Sequence, residues 1–177
     1  IKGITNHLED NETFHILGDY KFTAFSAPGH TNDQLSYFCK TTSQPILFSG
    51  DTLFYGGCGR LFEGTPKDML FSMDRYKKLP LNTLIYCGHE YTESNLKFAN
   101  AVEPQNKDVL MAIKLVSETR SMNKPSLPSL IETELKINPF MRCRELSVIE
   151  AAEKYANKKL KNTAEVLGEI RNWKDNF

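Results

Sequence analysis

Three segments of this chain end in the same way: an apolar run, a glycine, then a side chain able to hold a metal ion. Lys21 to Phe25 alternates and stops at Ala27-Pro28-Gly29, and His30 follows. Ile46 to Phe48 runs through Ser49-Gly50 into Asp51, and Thr83 to Cys87 runs through Gly88 into His89. This repetition constrains the fold more than any other feature. Strand ends in an α/β fold converge on one face, and ligands bind there. Glycine before the ligating residue lets the backbone turn sharply and leaves room for an ion or ligand. Imidazole and carboxylate together suit zinc, iron or manganese. One Gly-His-Thr or Gly-Asp-Thr triplet alone is equally readable as a capped turn. The three together, in the order His, Asp, His, are much harder to assign to chance.

The remaining segments give strands at Phe14 to Leu17 and Leu35 to Cys39. A helix is predicted from Pro66 to Leu79, with Thr65 as N-cap, Pro66 at the first position, and Met69, Leu70, Met73 and Tyr76 on one face. Beyond Tyr91 the texture turns helical. Thr92 to Val102 sets Leu96, Ala99 and Val102 at helical spacing. Lys107 to Met122 carries Val109, Leu110, Ile113, Leu115 and Val116. A proline-punctuated connector, NKPSLPS, leads to further helices at Val148 to Ala156 and Thr163 to Trp173. The reading is therefore a strand-rich α/β part over 1–91 and a helical part over 92–177.

Lysine plus arginine and aspartate plus glutamate number 22 each, so nothing draws the chain to nucleic acid or to a membrane surface. A chain of 177 residues with 40% hydrophobic residues builds a real core. No apolar run reaches transmembrane length, and no secretory signal opens the sequence. The four cysteines, Cys39, Cys58, Cys87 and Cys143, lack C-x-x-C spacing and read as reduced thiols of a cytosol-like compartment.

The stretches PGHTNDQLSYF, FSGDTLFYGGCGRLFEGT and YCGHEYTESNLKFANAVEPQN resemble glyoxalase II, the hydroxyacylglutathione hydrolases of the metallo-β-lactamase superfamily. The likeness continues through INPFMRCRE to the terminal EIRNWKDNF. It implies an αββα sandwich, partial here because N-terminal strands are missing, followed by a C-terminal α-helical domain that binds glutathione. It also implies two divalent metal ions, zinc first, with iron and manganese as alternatives. His30 is then a ligand of one metal and His89 of the other. Asp51 bridges both and positions the hydroxide that attacks the thioester of S-D-lactoylglutathione, releasing glutathione and D-lactate. Substrate contacts fall to Arg60, Leu61 and Phe62 in the loop after Asp51, to His89 and Tyr91, and to Arg171 and Lys174. The last two lie three apart, on one helix face. Without the resemblance, Arg171 and Lys174 read as a solvated, dipole-matched helix end. Cys58 and Cys87 read as packing residues, since neither has a base of its own.

The family motif T-H-x-H-x-D-H is absent. His7 and His15 do not reproduce it and read as surface or loop residues. Three ligands do not close two metal sites. The expectation is therefore the C-terminal portion of a longer thioesterase, favoured over a degenerate protein that lost its site. The competing functions are a single-iron persulfide dioxygenase and a non-catalytic glutathione- or partner-binding module. The expected partner is a small glutathione thioester bound by a monomer. The expected compartment is the cytoplasm, with the mitochondrial matrix as alternative.

Overall fold

The computed structural model describes residues 6–41 and 43–177. Strands β1 (Thr13–Ile16), β2 (Tyr20–Ser26), β3 (Leu35–Cys39) and β4 (Ile46–Gly50) form an antiparallel meander. A hairpin follows, β5 (Leu53–Phe54) and β6 (Gly57–Cys58). Helix α1 (Pro66–Tyr76) then carries the chain back, so that β7 (Leu84–Cys87) lies parallel to β4. After α2 (Thr92–Val102) and α3 (Lys107–Ser121), the short β8 (Ser129–Leu130) adds antiparallel to β7. Helices α4 (Ile131–Ile137), α5 (Leu146–Ala156) and α6 (Thr163–Asp175) complete the described chain. The main sheet has the order β1-β2-β3-β4-β7-β8.

This order decides where the chemistry lies. β2 and β4 each run antiparallel to β3, and β7 runs parallel to β4. Strands β2, β4 and β7 therefore share one direction, and the turns after them open on the same sheet edge. The turns after β2, β4 and β7 carry His30, Asp51 and His89.

One sheet face, with Phe25, Phe38, Leu47 and Ile85, joins a core closed by Met69, Met73 and Tyr76 of α1 and by Val166, Leu167 and Ile170 of α6. Along α1 the buried positions recur at intervals of four and three, which is one helical stripe. Its start is fixed by a reciprocal capping box between Thr65 and Asp68 with Pro66 in the first turn. The opposite sheet face bears an aromatic row, in which Phe14 stacks on Phe22, Phe22 meets Phe48, and Phe48 meets Tyr86.

Several expectations need correction. Helix α1 ends at Tyr76, not Leu79, because the chain must leave helical geometry before Pro80. On α3 the buried set is Val109, Ala112 and Val116, while Leu110 and Leu115 project into solvent. At 100° per residue, 110 and 115 fall off the stripe that 109, 112 and 116 share. The proline-punctuated connector leads directly into β8 and α4, which its sequence does not announce. His7 is exposed in a loop and His15 is exposed on the edge strand β1, as expected.

Candidate metal centre and ligand cleft

The three strand-end residues meet around one carboxylate. His30 Nε2 lies 3.7 Å from Asp51 Oδ2, and His89 Nε2 lies 3.7 Å from Asp51 Oδ1. Each imidazole thus faces its own carboxylate oxygen. The tautomer of His30 follows from its other nitrogen. Nδ1 is 2.8 Å from the Arg60 carbonyl, which can only accept, so Nδ1 carries the proton and donates. Nε2 then offers a lone pair toward a carboxylate that also offers lone pairs. Asp51 Oδ1 is buried and has no hydrogen-bond partner. Acceptors aimed at one another, one of them an orphaned buried oxygen, fit a cation between them. Among the described residues, no cluster of three or more His, Cys, Asp or Glu side chains encloses a metal position by itself. The donor set suits the bridging half of a metal site, one imidazole to each oxygen.

Two glycines make room for this arrangement. A Cβ on Gly88 would stand 2.5 Å from Asp51 Oδ1. A Cβ on Gly59 would stand 2.0 Å from the Asp51 carbonyl and 3.0 Å from His30 Nδ1. The permissive backbone after Asp51 is therefore a matter of close approach. The β5–β6 hairpin carries the chain away from Asp51 and returns it underneath as Gly59. The segment that follows is strapped across the His30 turn. The Phe62 amide donates to the His30 carbonyl, and the Asn32 amide donates to Glu63 Oε2.

A cleft of about 560 Å³ opens over the carboxylate. It gathers His30, Asp51, His89, Arg60, Phe62, Tyr91, Arg171 and Lys174 from the sequence-derived set. Leu61 does not line it; that side chain turns inward and packs against the main core. The Phe62 ring lies 4.9 Å from the His30 ring, and Tyr91 stacks on His89 at 5.2 Å. Cleft residues that sequence reasoning missed are Phe54, Cys58, Gly59, Ser94 and Asn95. Phe54, Cys58 and Gly59 lie in or beside a hairpin whose strands are too short to show alternation.

Arg171 is not the solvated helix end that its sequence position suggests. It is 5% exposed, donates from Nη1 to the Cys58 carbonyl at 3.0 Å, and pairs through Nη2 with Asp175 at 3.0 Å. The same Asp175 carboxylate lies 3.4 Å from Arg60 Nε, so it joins the loop arginine to the α6 arginine. Lys174 sits 4.9 Å from the Phe98 ring centroid. Its burial, with Arg171 beside it, lowers its pKa to about 8. Burial pushes the Cys58 thiol up to about 11, with Arg171 offsetting part of the effect, and raises that of Cys87. Neither cysteine is a ready thiolate, in keeping with packing roles.

The chain's likenesses to known proteins run along most of its length. A family model of the hydroxyacylglutathione hydrolase C-terminus matches residues 90–177. The hydroxyacylglutathione hydrolase of Pseudomonas savastanoi pv. phaseolicola is 46% identical over 170 residues, which is 96% of this chain and 65% of that protein. That of Aeromonas salmonicida is 51% identical over the same shares. The chain thus spans about 65% of the length of these curated relatives. Among solved structures, a metallo-β-lactamase from Staphylococcus aureus superposes with a TM-score of 0.57 at 19% identity, over 97% of this chain and 44% of that one. ETHE1 from Myxococcus xanthus superposes with a TM-score of 0.55 at 21% identity, over 94% and 51%. These two likenesses concern the fold.

Proposed function

We propose that the chain, 46–51% identical to hydroxyacylglutathione hydrolases over 170 residues, serves the hydrolysis of S-(2-hydroxyacyl)glutathione, S-D-lactoylglutathione in the first place, to glutathione and a 2-hydroxy acid. The observation that supports this reading is the convergence, in one cleft, of an imidazole–carboxylate–imidazole set with a cationic wall. His30, Asp51 and His89 are the residues that would hold divalent ions, with zinc first among the candidates. Such an ion, when bound, supplies Lewis acidity toward the thioester carbonyl and acidifies a water that serves as nucleophile.

The chain's own residues do the rest. Asp51 offers one oxygen to each side. His30 is kept in the ligating tautomer by the Arg60 carbonyl. Arg60 and Lys174 place positive charge where the carboxylates of glutathione would lie. Phe62 and Tyr91 set aromatic rings beside the two imidazoles, at 4.9 Å from His30 and 5.2 Å from His89, where they would bound the thioester's approach. We assign the metal-holding role to 1–91, the helical glutathione-binding wall to 92–177, and the cytoplasm as the working compartment.

The test joins the intact mass of the natural protein to its rate of S-D-lactoylglutathione hydrolysis, with and without chelator. Chelator-sensitive release of the glutathione thiol is expected. If the natural protein releases none after reconstitution with zinc, manganese or iron, yet still binds glutathione, it is a binding module and the enzymatic reading falls.

A further inference from the structure

Below the cleft, the β5–β6 hairpin is held by three buried side chains from the helices that follow it. Asn95 of α2 donates to the Tyr55 carbonyl at 3.0 Å. Glu134 of α4 accepts from the Gly56 amide at 2.9 Å. Asn138, at the end of α4, donates to the carbonyls of Gly57 at 3.0 Å and Phe54 at 3.3 Å, and to Glu134 Oε2 at 2.8 Å. Glu134 and Asn138 are 0% exposed. Backbone groups of all four residues from Phe54 to Gly57 therefore end on side chains from α2 and α4. The fit is close, since a Cβ on Gly57 would come within 2.7 Å of the Asn95 side chain.

This hairpin begins two residues after Asp51 and ends one residue before Gly59, whose backbone passes against the Asp51 carbonyl. The next residue, Arg60, supplies the carbonyl that orients His30. A shift of the hairpin moves all three. We infer that Glu134 and Asn138 are positioning residues of the cleft, fixing the height of the hairpin and with it the placement of Gly59, the Arg60 carbonyl and Asp51.

The charges around Glu134 agree with this role. The groups facing it are Tyr55 from the hairpin, Cys87 from β7 and Ser129 from β8, none of them cationic. Burial without a cation pushes its pKa up to about 7. Packed apolar residues would fill the same space at lower desolvation cost. What the polar set adds is one defined register for the hairpin, because a displaced hairpin leaves buried donors and acceptors unpaired.

The experiment uses the whole chain with Glu134→Gln and Glu134→Leu. Glutamine keeps the acceptor for Gly56, and leucine removes it. Two readouts are taken: the backbone amide signals of Gly56, Gly59 and Arg60, and the affinity for reduced glutathione by calorimetry. The leucine variant is expected to shift the Gly59 and Arg60 signals and to weaken glutathione roughly tenfold or more, the scale of losing an outer support of a site. The glutamine variant is expected to restore both. The affinity readout rests on the proposed function, and the amide readout does not. If the unmodified chain does not bind glutathione but the Gly59 and Arg60 signals behave as stated, the inference stands and the proposed function falls. A folded Glu134→Leu with unmoved Gly59 and Arg60 signals overturns the inference, as does a glutamine variant equally disturbed. Should the leucine variant fail to fold, Asn138→Ser, which withdraws the contacts to Phe54 and Gly57, is judged on the same signals by the same criteria.

Discussion

Replacing Arg171 by alanine separates a binding residue from a structural one. Its guanidinium makes a charge-assisted hydrogen bond to the Cys58 carbonyl, pairs with Asp175, and lies 5.2 Å from the Phe140 ring centroid. A buried hydrogen bond from a charged donor contributes about 1.5–3 kcal/mol. The Asp175 pair, open to solvent on one side, adds about 0–1 kcal/mol, and the ring contact about 0.5–1 kcal/mol. Together about 3 kcal/mol is lost, which for a chain of this length lowers the melting midpoint by about 6–12 °C. The assay is thermal unfolding by circular dichroism, paired with calorimetric titration of glutathione. Lys174→Met is the control. Among the described residues that amine reaches only the Ser94 carbonyl, at 3.5 Å, and the Phe98 face, so its loss should weaken glutathione without lowering the midpoint. If Arg171→Ala melts within about 2 °C of the parent while binding collapses, Arg171 is a free ligand-gripping residue and the packing argument is wrong.

Four further outcomes follow from the geometry. Gly88→Ala places a methyl 2.5 Å from Asp51 Oδ1 and should cost about tenfold or more in zinc affinity by calorimetric titration, with little loss of stability, because a carboxylate can rotate away. Gly59→Ala meets a backbone oxygen at 2.0 Å that cannot yield, so urea unfolding should show a loss of at least about 1–3 kcal/mol. Lys174 has a folded-state pKa lowered to about 8, so glutathione affinity should decline as pH rises through 8 and the ammonium is lost. Between about 8 and 10.4 the unfolded state binds the extra proton, so this residue's contribution to stability rises with pH over that window, and Lys174→Met abolishes both trends. Arg142→Met strands Glu103, which is 6% exposed and held by Arg142 Nε at 2.7 Å. Leaving that carboxylate without its cation should cost about 3–5 kcal/mol in urea unfolding.

What the sequence determined by itself was local. The strands that precede His30, Asp51 and His89, the Thr65-Pro66 start of α1 and the limits of α2 follow from periodicity and caps, which act between residues a few positions apart. The common edge of the three candidate ligands was legible for the same reason, since each is tied to the end of its own strand. Tertiary structure decided the rest. The burial of Arg171 depends on a carbonyl 113 residues away, and the Glu134 contact spans 78 residues. Nothing in a helical wheel distinguishes an arginine that points into a cleft from one folded back onto a hairpin. The inward turn of Leu61, the exposure of Leu110 and Leu115, and the role of Asp175 as counter-ion to two arginines are likewise set by what packs opposite. A pattern fixes which side of an element is apolar, whereas the partner of a polar atom is chosen only when distant segments close around it and leave it one neighbour to bond.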